Sequence, residues 1–188
     1  MTAPRLDSSR ITDEALKLLR EDGLEAVSLR RIAAGLGVGA STLYWHIRDK
    51  DELLAALSQR IFQDCLDAVG NQDGWQAWLR AFGMALWHAQ VEIPDVRKLI
   101  AIARHDPERQ RAARSEIADE LRRLGMEAGS ALVAQRSVQA LVTGWTTLAG
   151  QSASATSEDR KSFEQSLGIL VKGWEATEHD MNGRRPTS

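Results

Sequence analysis

The run Ala40-Ser41-Thr42-Leu43-Tyr44-Trp45-His46, with Lys50 close behind it, carries side chains suited to the surface of duplex DNA. Serine and threonine hydroxyls bond phosphates and base edges. A phenol or an imidazole can reach phosphate or sugar, and small apolar atoms can meet a thymine methyl. Small residues also let a helix sit deep in the major groove. Lys50 adds a charge for phosphate, and Arg30 lies upstream as a second cation. A plain surface helix would show Glu and Lys at such positions. By pattern alone an ordinary helical hairpin, with its aromatics turned into a core, stays open.

Two short helices and a tight turn must hold those residues. Ser28 can cap the first, because its hydroxyl accepts from an orphan N–H one turn in. Ile32, Ala33 and Leu36 share one face. Gly37 ends the helix, Val38 packs inward, and Gly39-Ala40 start a second helix whose inner face is Leu43 and Ile47. Upstream, Ser8 or Ser9 caps a bracing helix from Arg10 to Glu21, with Ile11, Ala15, Leu18 and Leu19 inward and Gly23 at its end. Downstream, Asp49 and Glu52 have the spacing of a capping box for a helix from Lys50 to about Val69. Leu53, Leu54, Leu57, Ile61, Cys65 and Leu66 form its inner face. Lys50 sits in its first turn, where exposed N–H groups favour a phosphate.

Gly23-Leu24, Leu29-Arg30-Arg31-Ile32-Ala33, Leu36-Gly37-Val38, Thr42-Leu43-Tyr44-Trp45-His46 and Ile47-Arg48-Asp49-Lys50-Asp51-Glu52-Leu53-Leu54 together resemble the DNA-binding domain of TetR-family transcriptional regulators. Thr-Leu-Tyr-Trp-His is especially similar to the tetracycline repressor subgroup. The resemblance covers roughly residues 10–60. It implies an all-α fold: an N-terminal three-helix DNA-binding domain with a helix-turn-helix, then a larger helical ligand-binding and dimerisation domain. The expected divisions are 1–49 for DNA binding, 50–69 for a linking helix and 70–188 for the larger domain, about nine helices in all. It also implies a cytoplasmic repressor, homodimeric on a pseudo-palindromic operator in double-stranded DNA and released by a small-molecule effector. Arg30, Tyr44, Trp45, His46 and Lys50 then fall to phosphate and sugar, and Ala40, Ser41 and Thr42 to base edges. The alternative is a helical dimeric protein-interaction module without ligand response. Leu66, Phe82 and Ile100 stand where the tetracycline subgroup carries His, Asn and His for a drug–magnesium complex. Tetracycline specificity is therefore not expected here.

Composition sets outer bounds. The 188 residues are enough for one or two domains with a real core, and 43% hydrophobic content is ordinary. The net charge of −2 does not advertise nucleic acid, but residues 28–50 hold Arg30, Arg31, Arg48 and Lys50 against Asp49, a local excess of three positive charges. A DNA binder needs cations at the contact face, not everywhere. No run approaches the length of a membrane span. Cys65 is the single cysteine and fits a small core residue in a reducing compartment. No phosphate loop, zinc cysteine pair or nucleophile elbow is present, so neither enzyme, cofactor nor metal is expected. His88 and Glu92 share a helical face, but two ligands do not make a metal site.

Gly70 to Gly74 is a loop, and helical spacing resumes at Trp75. Trp75, Trp78, Leu79, Phe82, Leu86 and Ala89 mark one face of a helix ending near Val91. Pro94 opens a short helix from Asp95 to Arg104 with Val96, Leu99, Ile100 and Ala103 inward. Asp106-Pro107 starts a highly charged helix with i,i+4 pairs and a thin stripe of Ile117, Leu121 and Leu124. Helices over 128–149 and 157–177 complete the chain, which frays from His179. Trp78, Phe82, Leu86, Leu99, Ile102, Leu141 and Trp145 are expected to line a mostly apolar ligand pocket, with His88, Arg104 or His105 near its mouth. Leu141, Trp145, Phe163, Leu167, Leu170 and Trp174 are expected at a four-helix dimer interface.

Overall fold

A computed structural model describes residues 6–103, 107–149 and 155–183. Among these residues every regular element is helical. They form two compact units. The first comprises the chain up to Asp64 and the segment that begins at Glu92 and holds the sixth helix; the second comprises Cys65–Val91 and the chain from Pro107 onward. The boundary expected at residue 70 and this division differ, because the linking helix runs unbroken from one unit into the other.

In the first unit, α1 spans Ser8–Asp22 and buries Ile11, Ala15, Leu16, Leu18 and Leu19. Its cap is Asp7, not Ser8 or Ser9: the carboxylate accepts from Arg10 N–H at 2.9 Å. A carboxylate also suits the positive end of the helix dipole better than a hydroxyl. A 3₁₀ turn, Leu24–Ala26, leads to α2, Leu29–Leu36. Ser28 caps α2 through Arg31 N–H at 3.3 Å. Gly37 closes it at φ 67°, a left-handed position that costs least without a Cβ.

α3 spans only Ala40–Leu43, shorter than the helix to Ile47 expected from the sequence. Hydrogen bonds from His46 N–H and Ile47 N–H to the Leu43 carbonyl, both 2.9 Å, carry the chain through one further turn. The bulky Tyr44-Trp45-His46 run has modest helix propensity, and Asp49 must stand outside helical geometry to start the next helix. That helix is α4, Lys50–Val69. Asp49 Oδ1 accepts from Glu52 N–H at 2.8 Å, as expected for half of a capping box. The Glu52 carboxylate turns back to Arg48 N–H at 2.8 Å, one residue before the reciprocal position. That backbone hydrogen bond is the main reason the Glu52 pKa lies below its ordinary value, with the Arg48 side chain adding to it. Arg60 ties α4 to α1 through Asp13 and also pairs with Asp64. α6, Val96–Ile102, packs on the 3₁₀ turn.

The second unit is built from the end of α4 with α5 (Trp75–Glu92), α7 (Pro107–Arg123), α8 (Ala128–Ala149) and α9 (Ser157–Gly183). α5 buries Trp75, Trp78, Leu79, Phe82, Gly83, Leu86 and Trp87. Gly83 lets α5 pack closely on α8 and α9: a Cβ there would lie 2.8 Å from Leu167 and 3.1 Å from Val138. Trp87 stacks on Phe163 with centroids 4.6 Å apart, and Trp78 on Phe82 at 5.0 Å. α7 packs on α8, and α8 on α9. Two charge pairs on α7, Asp119–Arg122 and Glu120–Arg123, run i,i+3. α9 does not fray at His179 but continues to Gly183. One reason lies at Glu178, whose carboxylate is buried and accepts from Glu127 N–H at the start of α8, 2.8 Å away.

Candidate nucleic-acid interface

The turn between α2 and α3 sorts its side chains by face. Leu43 and Ile47 are buried, as are Ile32 and Ala33 beneath them. Ala40, Ser41, Thr42, Arg30 and Lys50 are exposed. Tyr44 is 56% exposed and Trp45 89%, while His46 is half-buried. The hairpin in which these aromatics fill a core is therefore excluded. An indole left almost wholly in water does nothing for the monomer's stability and points to a contact outside the chain.

The cations separate into two kinds. Arg31 is held by Asp22 at 2.5 Å, and Arg48 by Glu52 at 3.2 Å. Among the described residues Arg30 and Lys50 have no ion pair, so the local positive excess is delivered chiefly by these two. Lys50 opens the 20-residue α4, at the positive end of its dipole. The arrangement offers hydroxyls and methyls on a short projecting turn, flanked by aromatic and cationic groups. Those are the parts needed to read base edges while gripping phosphates.

The residues expected at a ligand pocket are divided between the two units. Trp78, Phe82 and Leu86 are buried in the second unit, and His88, Leu141 and Trp145 are half-buried there. Leu99 is buried and Ile102 is 55% exposed, but both belong to the first unit with α6. Ile100, expected inward, is exposed as well. A seven-residue helix that docks through Val96 and Leu99 has little further surface to bury. Arg104, His105 and Asp106 lie outside the described residues. Within the second unit a cleft of about 330 Å³ is lined by Leu66, Gly70, Trp78 and Ile117, with Asp67, Glu116 and Glu120 at its rim. Arg123 holds the Glu120 pKa below its ordinary value by hydrogen bonding.

Two residues assigned to a dimer interface are corrected. Phe163 and Leu167 are buried in their own unit, Phe163 under Trp87 and Leu167 beside Gly83. Leu141, Trp145, Leu170 and Trp174 are half-buried. The outward apolar residues of α8 and α9 are instead Leu132, Val133, Leu148 and Ile169. Gly144 and Gly173 lie in open space on the same helices. The helical spacing of Val133, Ser137, Ala140, Gly144 and Leu148 could have revealed this second, outward stripe.

A family model described as bacterial regulatory proteins, tetR family, matches residues 11–57, from α1 into α4. The tetracycline repressor protein class D of Escherichia coli is 35% identical over 99 residues, 50% of this chain and 44% of that protein. The chain thus matches less than half the length of this curated relative. A variant TetR from Acinetobacter baumannii AYE, in complex with minocycline, shares the fold: TM-score 0.74, 24% identity, 93% of this chain and 99% of that one. BioQ, solved with its natural double-stranded DNA operator, superposes with TM-score 0.65 at 26% identity, over 92% of this chain and 99% of that one. Fold and face together define a helix-turn-helix protein with a C-terminal helical bundle. Residues 11–57 match the DNA-binding region of the TetR family of bacterial regulatory proteins, and the described chain shares the fold of solved TetR-type proteins.

Proposed function

We propose that the protein is a cytoplasmic, sequence-specific transcriptional repressor that binds a pseudo-palindromic operator as a homodimer and is released by a small molecule. The exposed face of α3 and its following turn carries this reading: Ser41, Thr42, Tyr44 and Trp45 stand in solvent above a buried Leu43 and Ile47. Ala40, Ser41 and Thr42 meet base edges. Arg30, Tyr44, Trp45, His46 and Lys50 hold phosphate and sugar. Two copies place their recognition turns in successive major grooves, about one helical turn apart. BioQ, in complex with its operator, supports this use of the fold.

The dimer is proposed to form through the outward apolar stripe of α8 and α9, as a four-helix bundle. The effector is proposed to enter the cleft over Trp78, Leu66 and Ile117. The apolar floor of Leu66, Trp78 and Ile117 suits a molecule with a greasy body better than a phosphorylated metabolite.

Selection of binding sites from random duplex DNA tests the reading. A two-fold consensus, protected by the dimer, is the expected result. Enrichment of no sequence, with a chain that stays folded and dimeric, would favour the protein-interaction module instead. A compound screen on the selected site then seeks molecules that quench tryptophan fluorescence and release DNA over one concentration range.

A further inference from the structure

Four helices begin under a side-chain cap. Asp7, Ser28, Asp49 and Thr156 each accept from the N–H three residues on, at the starts of α1, α2, α4 and α9. α3 is built differently: Gly39 holds its N-cap position and makes no such bond. Nothing inside the chain requires glycine there. Its φ of −70° and ψ of 144° are extended values open to any residue. A Cβ would meet Ser41 Oγ at 3.6 Å and Thr42 Oγ1 at 3.9 Å, both ordinary contacts. A serine or aspartate would fit the position and add the missing acceptor. Gly39 is exposed, as are Ala40, Ser41 and Thr42 after it. A glycine with no internal cause, on a face already suited to contact, has another common use. It lets the backbone and an outside molecule approach closely.

The neighbours of Gly39 say which base feature fits. Residues 39–46 hold no Arg, Lys, Asn or Gln. The turn therefore has no side chain for the bidentate pairs that single out guanine or adenine. What it offers is room at Gly39 for an apolar group, bordered by the Ser41 and Thr42 hydroxyls. Thymine presents the complement in the major groove: a 5-methyl group next to the O4 acceptor. Cytosine lacks the methyl and carries an amino donor in place of O4. Any side chain at position 39 would stand in that room, beside the two hydroxyls.

We propose that Gly39 is a specificity-determining residue of the DNA face: its bare backbone admits the 5-methyl group of one thymine in each half-site, and the Ser41 or Thr42 hydroxyl donates to O4 of the same base. This deepens the repressor reading above and rests on it. The test uses the full chain on its selected operator. Each thymine of the half-site is replaced in turn by deoxyuridine, which lacks only the methyl. The same duplexes are bound by the parent and by Gly39→Ser, and denaturant midpoints are measured for both proteins.

For the parent, deoxyuridine at one thymine should cost about fourfold in affinity per half-site, the worth of one buried methyl. Gly39→Ser should lose about tenfold or more on the unmodified operator and be indifferent to deoxyuridine at that position. Its binding to non-operator DNA should be unchanged, because the cations remain in place. Its denaturant midpoint should be no lower than the parent's, since serine caps a helix and restricts the unfolded chain. Three results would overturn the proposal. In the first, no thymine of the half-site responds to loss of its methyl. In the second, Gly39→Ser keeps the parent's affinity or its response to deoxyuridine. In the third, Gly39→Ser weakens operator and non-operator DNA together and unfolds earlier, so that the glycine serves folding. A parent that selects an operator indifferent to deoxyuridine sinks this inference and leaves the repressor reading standing. A parent that selects no sequence sinks both.

Discussion

The shortest helix and the longest one make a useful pair. α3 has four residues and α9 has 27. α3 holds its place through Leu43, with Ile47 beyond it, so its remaining side chains are released from folding and can be chosen for contact. α9 buries Phe163, Leu167 and Val171, leaves Leu170 and Trp174 half-buried, and exposes Ile169. Its apolar residues serve the core on one side and a surface on the other. Where one face alone carries apolar residues, polar and aromatic types on the other face report function. Where both do, residue type reports neither.

Charges placed on the outward stripe of the bundle should have the largest effect. Leu148→Glu with Ile169→Glu changes residues 60% and 64% exposed, so the fold should persist. Sedimentation should show monomers, and operator affinity should fall by about 10²-fold or more, since two linked half-sites gain that much over one. A folded dimer in this variant would break the contrast between the two helices. Next in size, Thr42→Ala or Ser41→Ala should relax preference at a defined base pair by roughly 1–3 kcal/mol, read by binding to single-position operator variants. Gly83→Ala tests the packing side. A methyl between Leu167 and Val138 should lower unfolding stability by about 1–3 kcal/mol, measured by denaturant titration, with base preference unchanged.

The same contrast explains what could be read from the chain alone. Ser28, Gly37, Asp49, Leu43 and Ile47 were legible because caps, left-handed turns and a single inner stripe are local rules. The cap at Asp7 was missed because two serines beside it satisfy the same rule less well. Phe163 and Leu167 were placed on a surface because helical spacing gives a face but not its neighbour. The hydrogen bond from Leu24 N–H to Asp95 Oδ2, 3.1 Å long, has no local signal at all, because its partners are 71 residues apart. The expected ligand residues divide between the two units because α6 lies between α5 and α7 in sequence but belongs to the first unit.

The smallest effect concerns pH. Glu52 has a lowered pKa in the folded chain, chiefly through Arg48 N–H. Its contribution to the start of α4 is present above the ordinary carboxylate pKa of about 4.3 and is lost as pH falls through the lower, folded value. Glu52→Gln should flatten that part of the acid unfolding curve slightly and leave the curve above pH of about 6 parallel to that of the parent.

Lys50 offers the most direct check on the contact face itself. It opens α4 beside the recognition turn, exposed and without an ion pair among the described residues. Binding of the parent and of Lys50→Ala to operator and to scrambled DNA should be measured across a range of salt concentrations. A phosphate contact requires that Lys50→Ala weaken both DNAs alike and reduce the slope of log K against log salt by about 1. An unchanged slope, or a shift in base preference, would contradict the assignment of this surface to the DNA backbone.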